Sequence, residues 1–163
     1  MDFLLPELGA GLPDGEQAAR IFIRLVIAMV LGAIVGFQRE QLGKPAGLRT
    51  PILVTMGSAL FVMAATESGM SSDGVSRVIQ GITTGIGFIG AGAILKMGED
   101  REIYGLTTAA GIWATAAVGV AVGLGLLGLA LISVAMIWFV LAGLAYLERR
   151  LKPASPPERA REG

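Results

Sequence analysis

The 163-residue chain contains no cysteine and no histidine. Their absence removes disulfide frameworks, thiol nucleophiles, imidazole acid–base chemistry and zinc sites of the usual kind. Charge is scarce too: 16% of residues are charged, where a soluble domain carries nearer a quarter. The 13 basic and 13 acidic residues cancel, so no global basic field exists to hold nucleic acid. Hydrophobic residues make up 53%, mean hydropathy is +0.69, and 24 residues are glycine. That balance points to apolar segments packed in a bilayer.

Gly81-Ile82-Thr83-Thr84-Gly85-Ile86-Gly87-Phe88-Ile89-Gly90-Ala91-Gly92-Ala93-Ile94-Leu95 is too apolar for a loop and too glycine-rich for a soluble helix. In water each glycine costs a helix about 1 kcal/mol against alanine. In a membrane, small residues let neighbouring backbones approach, and van der Waals contact holds the helices together. Gly81/Gly85 and Gly87/Ala91 are small-xxx-small pairs, and Gly90 adds to them. This stretch is expected to be the central transmembrane helix of a small bundle. Gly85 to Gly90 also fits the dinucleotide fingerprint G-x-G-x-x-G. That motif needs a preceding strand in a soluble βαβ unit, and an uncharged run from Val78 to Leu95 argues against one.

The pattern predicts five spans, at about 21–37, 51–66, 78–95, 106–122 and 126–146. An external segment, residues 1–19, precedes the transmembrane domain, residues 20–148; it lacks the basic start and apolar core of a signal peptide. Residues 149–163 read as a disordered basic cytoplasmic tail. Asp14 is positioned to cap the first helix, with Glu16 and Arg20 paired at i,i+4. Arg24 interrupts the first span and either snorkels to the boundary or faces a partner inside the bundle. Ala28, Gly32 and Gly36 form a small-residue stripe on the same helix. Glu67 to Arg77 and Lys96 to Tyr104 read as polar loops. Ile103 to Leu147 holds no charge over 45 residues, too long for one crossing. Two spans with a turn around Gly123-Leu124-Gly125 fit it, the fourth interior and the fifth facing lipid.

With five spans and the N-terminus outside, internal segments hold ten basic residues and external positions only three, Arg20, Arg24 and Arg77. The positive-inside rule therefore sets the N-terminus out and the C-terminus in the cytoplasm. There is also a faint repeat: Gly47-Leu48-Arg49-Thr50 recurs as Gly105-Leu106-Thr107-Thr108, and the same offset of 58 carries Gly32-Ala33 to Gly90-Ala91. A parallel duplication explains it, as does chance matching in a glycine- and alanine-rich chain.

An ordered set of motifs runs through residues 20 to 147: Arg24, Gly36-Phe37-Gln38-Arg39-Glu40, Ala46-Gly47-Leu48-Arg49-Thr50, Asp73 with Arg77, Gly85 to Gly92, and Gly105 to Gly119 including Trp113. In this the chain resembles the MgtC/SapB family of bacterial inner-membrane proteins. The short, SapB-like form is the better match, since a C-terminal ACT-like domain of the founding branch has no counterpart here. Gln38 stands where the family usually has Glu. The resemblance implies a multi-pass inner-membrane protein tied to magnesium homeostasis, to adaptation to low magnesium or acid stress, and to a virulence-associated family.

The candidate functional residues are Arg24, Arg39, Glu40, Arg49, Asp73, Arg77, Gln80, Thr107, Thr108 and Trp113. Arg49 precedes a helix N-terminus suited to an anion, or serves as a positive-inside anchor. Glu40 and Arg49 flank one loop and could pair, as could Asp73 and Arg77. Gln80 is expected to hydrogen-bond across helices. Thr107 and Thr108 are expected to bond their own backbone or cross to the third span, and Trp113 to pack on its glycines.

No nucleophile–base pair is visible, so no enzymatic activity is expected, and no cofactor. Direct Mg²⁺ transport is one reading, although the spans carry no carboxylate at depth. A break in the helix at Gly85 to Gly92 would supply carbonyl oxygens instead. The competing reading is a regulator that packs its Gly/Ala faces on another membrane protein or on a second copy of itself. Transport predicts a polar cavity between spans; regulation predicts a dry bundle with an exposed small-residue groove.

Overall fold

The computed structural model describes residues 13–44, 46–97 and 102–144. Most of the expected N-terminal segment, and the whole tail from 149, lie outside them. The described residues form an all-α bundle of five helices: α1 (Gly15–Gln41), α2 (Arg49–Glu67), α3 (Ser72–Gly92), α4 (Leu106–Gly123) and α5 (Leu127–Phe139). A π-helical turn, Val140–Leu144, continues α5. α1, α2 and α4 are long and apolar enough to cross a membrane by length and composition.

Local chemistry sets the helix starts. The Asp14 carboxylate accepts from the Gln17 amide at 2.7 Å, and Glu16 and Arg20 pair at 3.2 Å in the first turns. α1 therefore begins at Gly15, six residues before the expected span. α3 also starts early, because the Ser71 hydroxyl accepts from the Gly74 amide at 3.3 Å. That capping bond draws Asp73 and Arg77 out of the expected loop and into the helix. The loop expected at Lys96 to Tyr104 is instead a ribbon, β1 (Leu95–Met97) with β2 (Glu102–Tyr104), antiparallel with Lys96 opposite Ile103. α4 follows Gly105, whose φ of 92° leaves no room for a Cβ beside the Ala93 carbonyl. The turn before α5 uses Gly125 at φ 80°.

α2 and α4 pack along each other through the middle of the bundle. α1 lies on α2, α3 lies on α4, and α5 covers α4 and α1. The main core joins Leu31 and Val35 of α1, Ala59 and Met63 of α2, Val118 and Val122 of α4, and Ala130 and Val134 of α5. A smaller cluster of Ile86, Ile112 and Ala116 holds α3 to α4. α5 otherwise presents Leu131, Ile132, Trp138 and Phe139 outward, a face for lipid.

The glycine-rich helix is thus an edge helix and not the central one. Only Ile86 and Gly90 of α3 are buried. A Cβ at Gly81, Gly85 or Gly87 would meet nothing within 4 Å, and Ala91 is exposed. The close approaches occur elsewhere. Gly32 lies under 3 Å, by that measure, from Pro51 O and Ile52 Cα, and Gly36 under 3 Å from Leu48. Gly119 and Gly123 seat α4 on Thr55, Ser58, Ala59 and Val62 of α2. Small residues allow close packing, but a helix uses them only where a neighbour is present.

The offset of 58 does appear in the fold. Shifted by it, the starts of α1 and α2 fall at 73 and 107, one residue from the starts of α3 and α4. Gly32 packs on Pro51, and its counterpart Gly90 packs on Ala109, the counterpart of Pro51. α1–α2 and α3–α4 are two similar hairpins placed side by side.

Candidate functional site

Polar chemistry gathers at both ends of the bundle. At one end α1 runs into the loop leading to α2, and it passes the expected end of the first span at Phe37. Helix continues to Gln41, which carries Gln38 and Arg39 inside at 7% and 3% exposure. The Arg39 Nε donates to the Ala46 carbonyl at 3.2 Å, and its guanidinium lies over Gly111 of α4, where a Cβ would approach it to 2.6 Å. Ala46 is left-handed at φ 58°, a conformation costing an ordinary residue roughly 1–2 kcal/mol. The charge-assisted bond from Arg39 offsets that cost.

Glu40 completes this clamp. Its Oε2 accepts from the Leu48 amide at 2.9 Å, and Leu48 is the N-cap residue of α2, whose own side chain supplies no capping bond. A carboxylate at a helix N-terminus meets free amides and the positive end of the dipole. A Cβ on Gly47 would overlap the Glu40 carboxylate, and one on Gly36 would strike Leu48. The run Ala46-Gly47-Leu48 is therefore the seat on which Arg39 and Glu40 fasten the loop. Glu40 is bound to backbone and not to Arg49, which stands exposed in the first turn of α2. Gln38 is buried with both amide atoms unpartnered.

Across the same end, Thr108 is buried in the first turn of α4 and Thr107 is exposed. The threonines that bond their own helix are others: Thr55 to Pro51, Thr66 to Met63, Thr83 to Ile79, Thr84 to Gln80 and Thr115 to Gly111. Trp113 is 52% exposed and lines a cavity of about 140 Å³ with Ile79, Ile82, Thr83 and Ile86, so it neighbours the isoleucines of α3 and not its glycines.

At the opposite end Arg24 resolves toward a partner. Its Nη1 donates to the Gly123 carbonyl at 3.1 Å, placing the cation on the C-terminal end of α4. Gln17 reaches from α1 to Glu67 at the end of α2, at 2.5 Å. Asp73 and Arg77 are exposed and do not pair with each other. Gln80 is also exposed; instead of bonding across helices it lines a cleft. This cleft, about 850 Å³, lies between the end of α2 and the first half of α3 and includes Thr66, Ser72, Ser76, Thr83 and Thr84. Sequence reasoning missed it, although Ser72, Ser76, Gln80 and Thr84 recur at i,i+4 along one helix face.

A second groove between α2 and α3, about 570 Å³, is apolar and lined by Leu53, Gly57, Phe61, Gly81, Gly85 and Ile89. α3 is unbroken through Gly85 to Gly92, which rules out both the carbonyl-lined break and the strand–turn–helix of a dinucleotide site.

No solved structure matches the chain. It is 45% identical over 149 residues to SrpB of Synechococcus elongatus, covering 85% of this chain and 81% of that protein. It is 41% identical over 142 residues to YhiD of Escherichia coli K12, whose name connects it with magnesium transport; the match covers 83% of this chain and 65% of YhiD. Identity to MgtC of Salmonella typhimurium is 42% over 103 residues, 63% of this chain but 43% of MgtC. The chain thus spans less than two thirds of YhiD and less than half of MgtC. The profile of the MgtC family matches residues 25–150, from just after Arg24 within α1 to beyond α5, and the chain is a membrane protein of the MgtC family.

Proposed function

We propose that this chain is a multi-pass protein of the bacterial inner membrane that serves magnesium homeostasis by acting on another membrane protein, and that its own bundle does not conduct the ion. Its N-terminus faces outward and its C-terminus the cytoplasm, as the basic residues favour. The magnesium link is supported by family membership and by the name of YhiD. The observation that carries the mechanism is the α2–α4 seam. Thr55, Ala59, Val62, Val118 and Val122 are all at or below 1% exposure, and Gly119 and Gly123 bring the two backbones together along the bundle axis. A seam packed like a protein interior leaves no hydrated path between these helices. The apolar groove beside Gly57, Gly81 and Gly85 offers a surface for a partner helix.

The cleft at the Arg24 end, with its serines, threonines and Gln80 set among Met70, Val75, Ile79 and Leu124, favours a second reading, transport, in which that cleft is a vestibule. Growth separates the magnesium link from the alternatives. A deletion strain should grow poorly when magnesium is limiting and recover with this chain. Equal growth of both strains in limiting magnesium would remove the link. A Gly85→Leu variant should fold and fail to rescue, because it fills the groove without touching the seam.

A further inference from the structure

The cleft between α2 and α3 has a hydrogen-bonding character that its composition alone does not show. The Thr83 hydroxyl donates to the Ile79 carbonyl at 2.9 Å, and Thr84 donates to Gln80 at 2.9 Å. Thr66, on the facing helix, donates to Met63 at 3.0 Å. A hydroxyl has one proton and two lone pairs. With their protons committed to their own helices, these three residues turn only lone pairs to the cleft. Gln80 adds its side-chain amide, and Ser72 and Ser76 add hydroxyls that rotate to suit a ligand.

Among the described residues, no charged side chain lines the cleft. The dipoles around it lean negative. α2 ends here with its carbonyl end and Glu67, while the positive start of α3 is met by the Ser71 cap and by Asp73 in its first turn. An anion would meet lone pairs and the wrong end of α2. An apolar ligand would leave the Ser72 and Ser76 hydroxyls and the Gln80 amide without partners. The suited ligand carries positive charge and many donors.

The geometry points to this cleft as a binding site for a divalent cation that keeps its first water shell, with the shell waters donating to Thr66, Thr83, Thr84 and Gln80. Mg²⁺ dehydrates reluctantly and is commonly held through its waters. Six waters take about 180 Å³ at roughly 30 Å³ each, which the cleft of about 850 Å³ accommodates. This site rests on the magnesium link proposed above and on neither mechanism: it serves as the sensing surface of a regulator or as the vestibule of a transporter.

The test is calorimetric titration of the full chain in lipid nanodiscs with MgCl₂ and, separately, with hexaamminecobalt(III), a donor-rich ion whose ligands do not exchange. Wild type should bind both. A Thr83→Val/Thr84→Val double variant should bind each about tenfold more weakly or worse, the loss of a hydrogen bond or two. Thr83→Ser/Thr84→Ser, which keeps the acceptors, should bind as wild type; with Gln80→Leu, expected to weaken binding, it decides the matter if the valine variant fails to fold. Wild type that binds neither ion overturns the site, as does binding of Mg²⁺ without the cobalt complex, which would mean direct ligation. Undiminished binding by the valine variant overturns it too. A wild-type chain that rescues growth in limiting magnesium yet binds neither ion loses the cleft and keeps the magnesium link.

Discussion

Arg24 of α1 and Gly123 of α4 stand 99 residues apart in sequence and are joined by a 3.1 Å hydrogen bond from the guanidinium to the carbonyl. Gly123 is the last residue of α4, so its carbonyl has no partner within the helix. A free carbonyl facing a bilayer costs several kcal/mol. Arg24 satisfies it and brings a cation to the negative end of the dipole. Gly125 makes space for this, since a Cβ there would lie 2.7 Å from Nη2.

Arg24→Met should therefore destabilise the bundle by about 1–3 kcal/mol through loss of a charge-assisted bond to a helix end. Arg24→Lys should recover part of that. Reversible unfolding in mixed micelles reads the difference, and equal stability of wild type and Arg24→Met contradicts the capping role.

Gly32 and Gly85 should respond in opposite ways. Alanine at Gly32 presses on backbone atoms of Ile52 and Pro51 and should cost about 1–3 kcal/mol, since backbone cannot turn aside. Alanine at Gly85 meets open space and should be neutral or stabilising by up to about 1 kcal/mol from helix propensity. The same unfolding assay ranks them, and the reverse order would show that α3 and not α1 sits at the tight contact.

The Glu40 clamp yields its own comparison. Glu40→Ala removes the acceptor for the Leu48 amide and should lower stability by about 1 kcal/mol, in the range of a lost N-cap. Glu40→Gln keeps an acceptor and should lose less. Proteolysis within residues 42–48 should rise in the alanine variant; unchanged cleavage would mean that the loop is held by other contacts.

Gln38 is the opposite case, a buried amide whose two polar atoms are unpartnered. Leucine there removes the desolvation cost without leaving a partner stranded, so Gln38→Leu should be neutral or stabilise by about 1–3 kcal/mol. A drop in melting temperature would show that the amide makes a bond essential to the native bundle.

Helix existence was legible because uncharged runs of bilayer length have few other uses. The helix starts at Asp14 and Ser71 depended on single capping bonds, and the second was hidden in a polar stretch that also reads as loop. The ribbon at Leu95 and Tyr104 is too short to leave a periodic pattern. Of the site residues, types and motifs could be named but not their partners. Arg24, Arg39 and Glu40 each bind a backbone atom, at Gly123, Ala46 and Leu48, and backbone atoms carry no sequence signature. The density of glycine in α3 suggested a central position for the same reason, since it records what a helix can approach and not what lies beside it.

The central claim is that the bundle itself does not conduct. The direct measurement is Mg²⁺ entry into dye-loaded proteoliposomes holding the purified full chain, with Arg49→Ala and Asp73→Ala alongside. The close-packed α2–α4 seam predicts entry no faster than into protein-free liposomes for all three proteins. Saturable entry with wild type, lost in a variant that still folds, would contradict the account and make the chain a transporter.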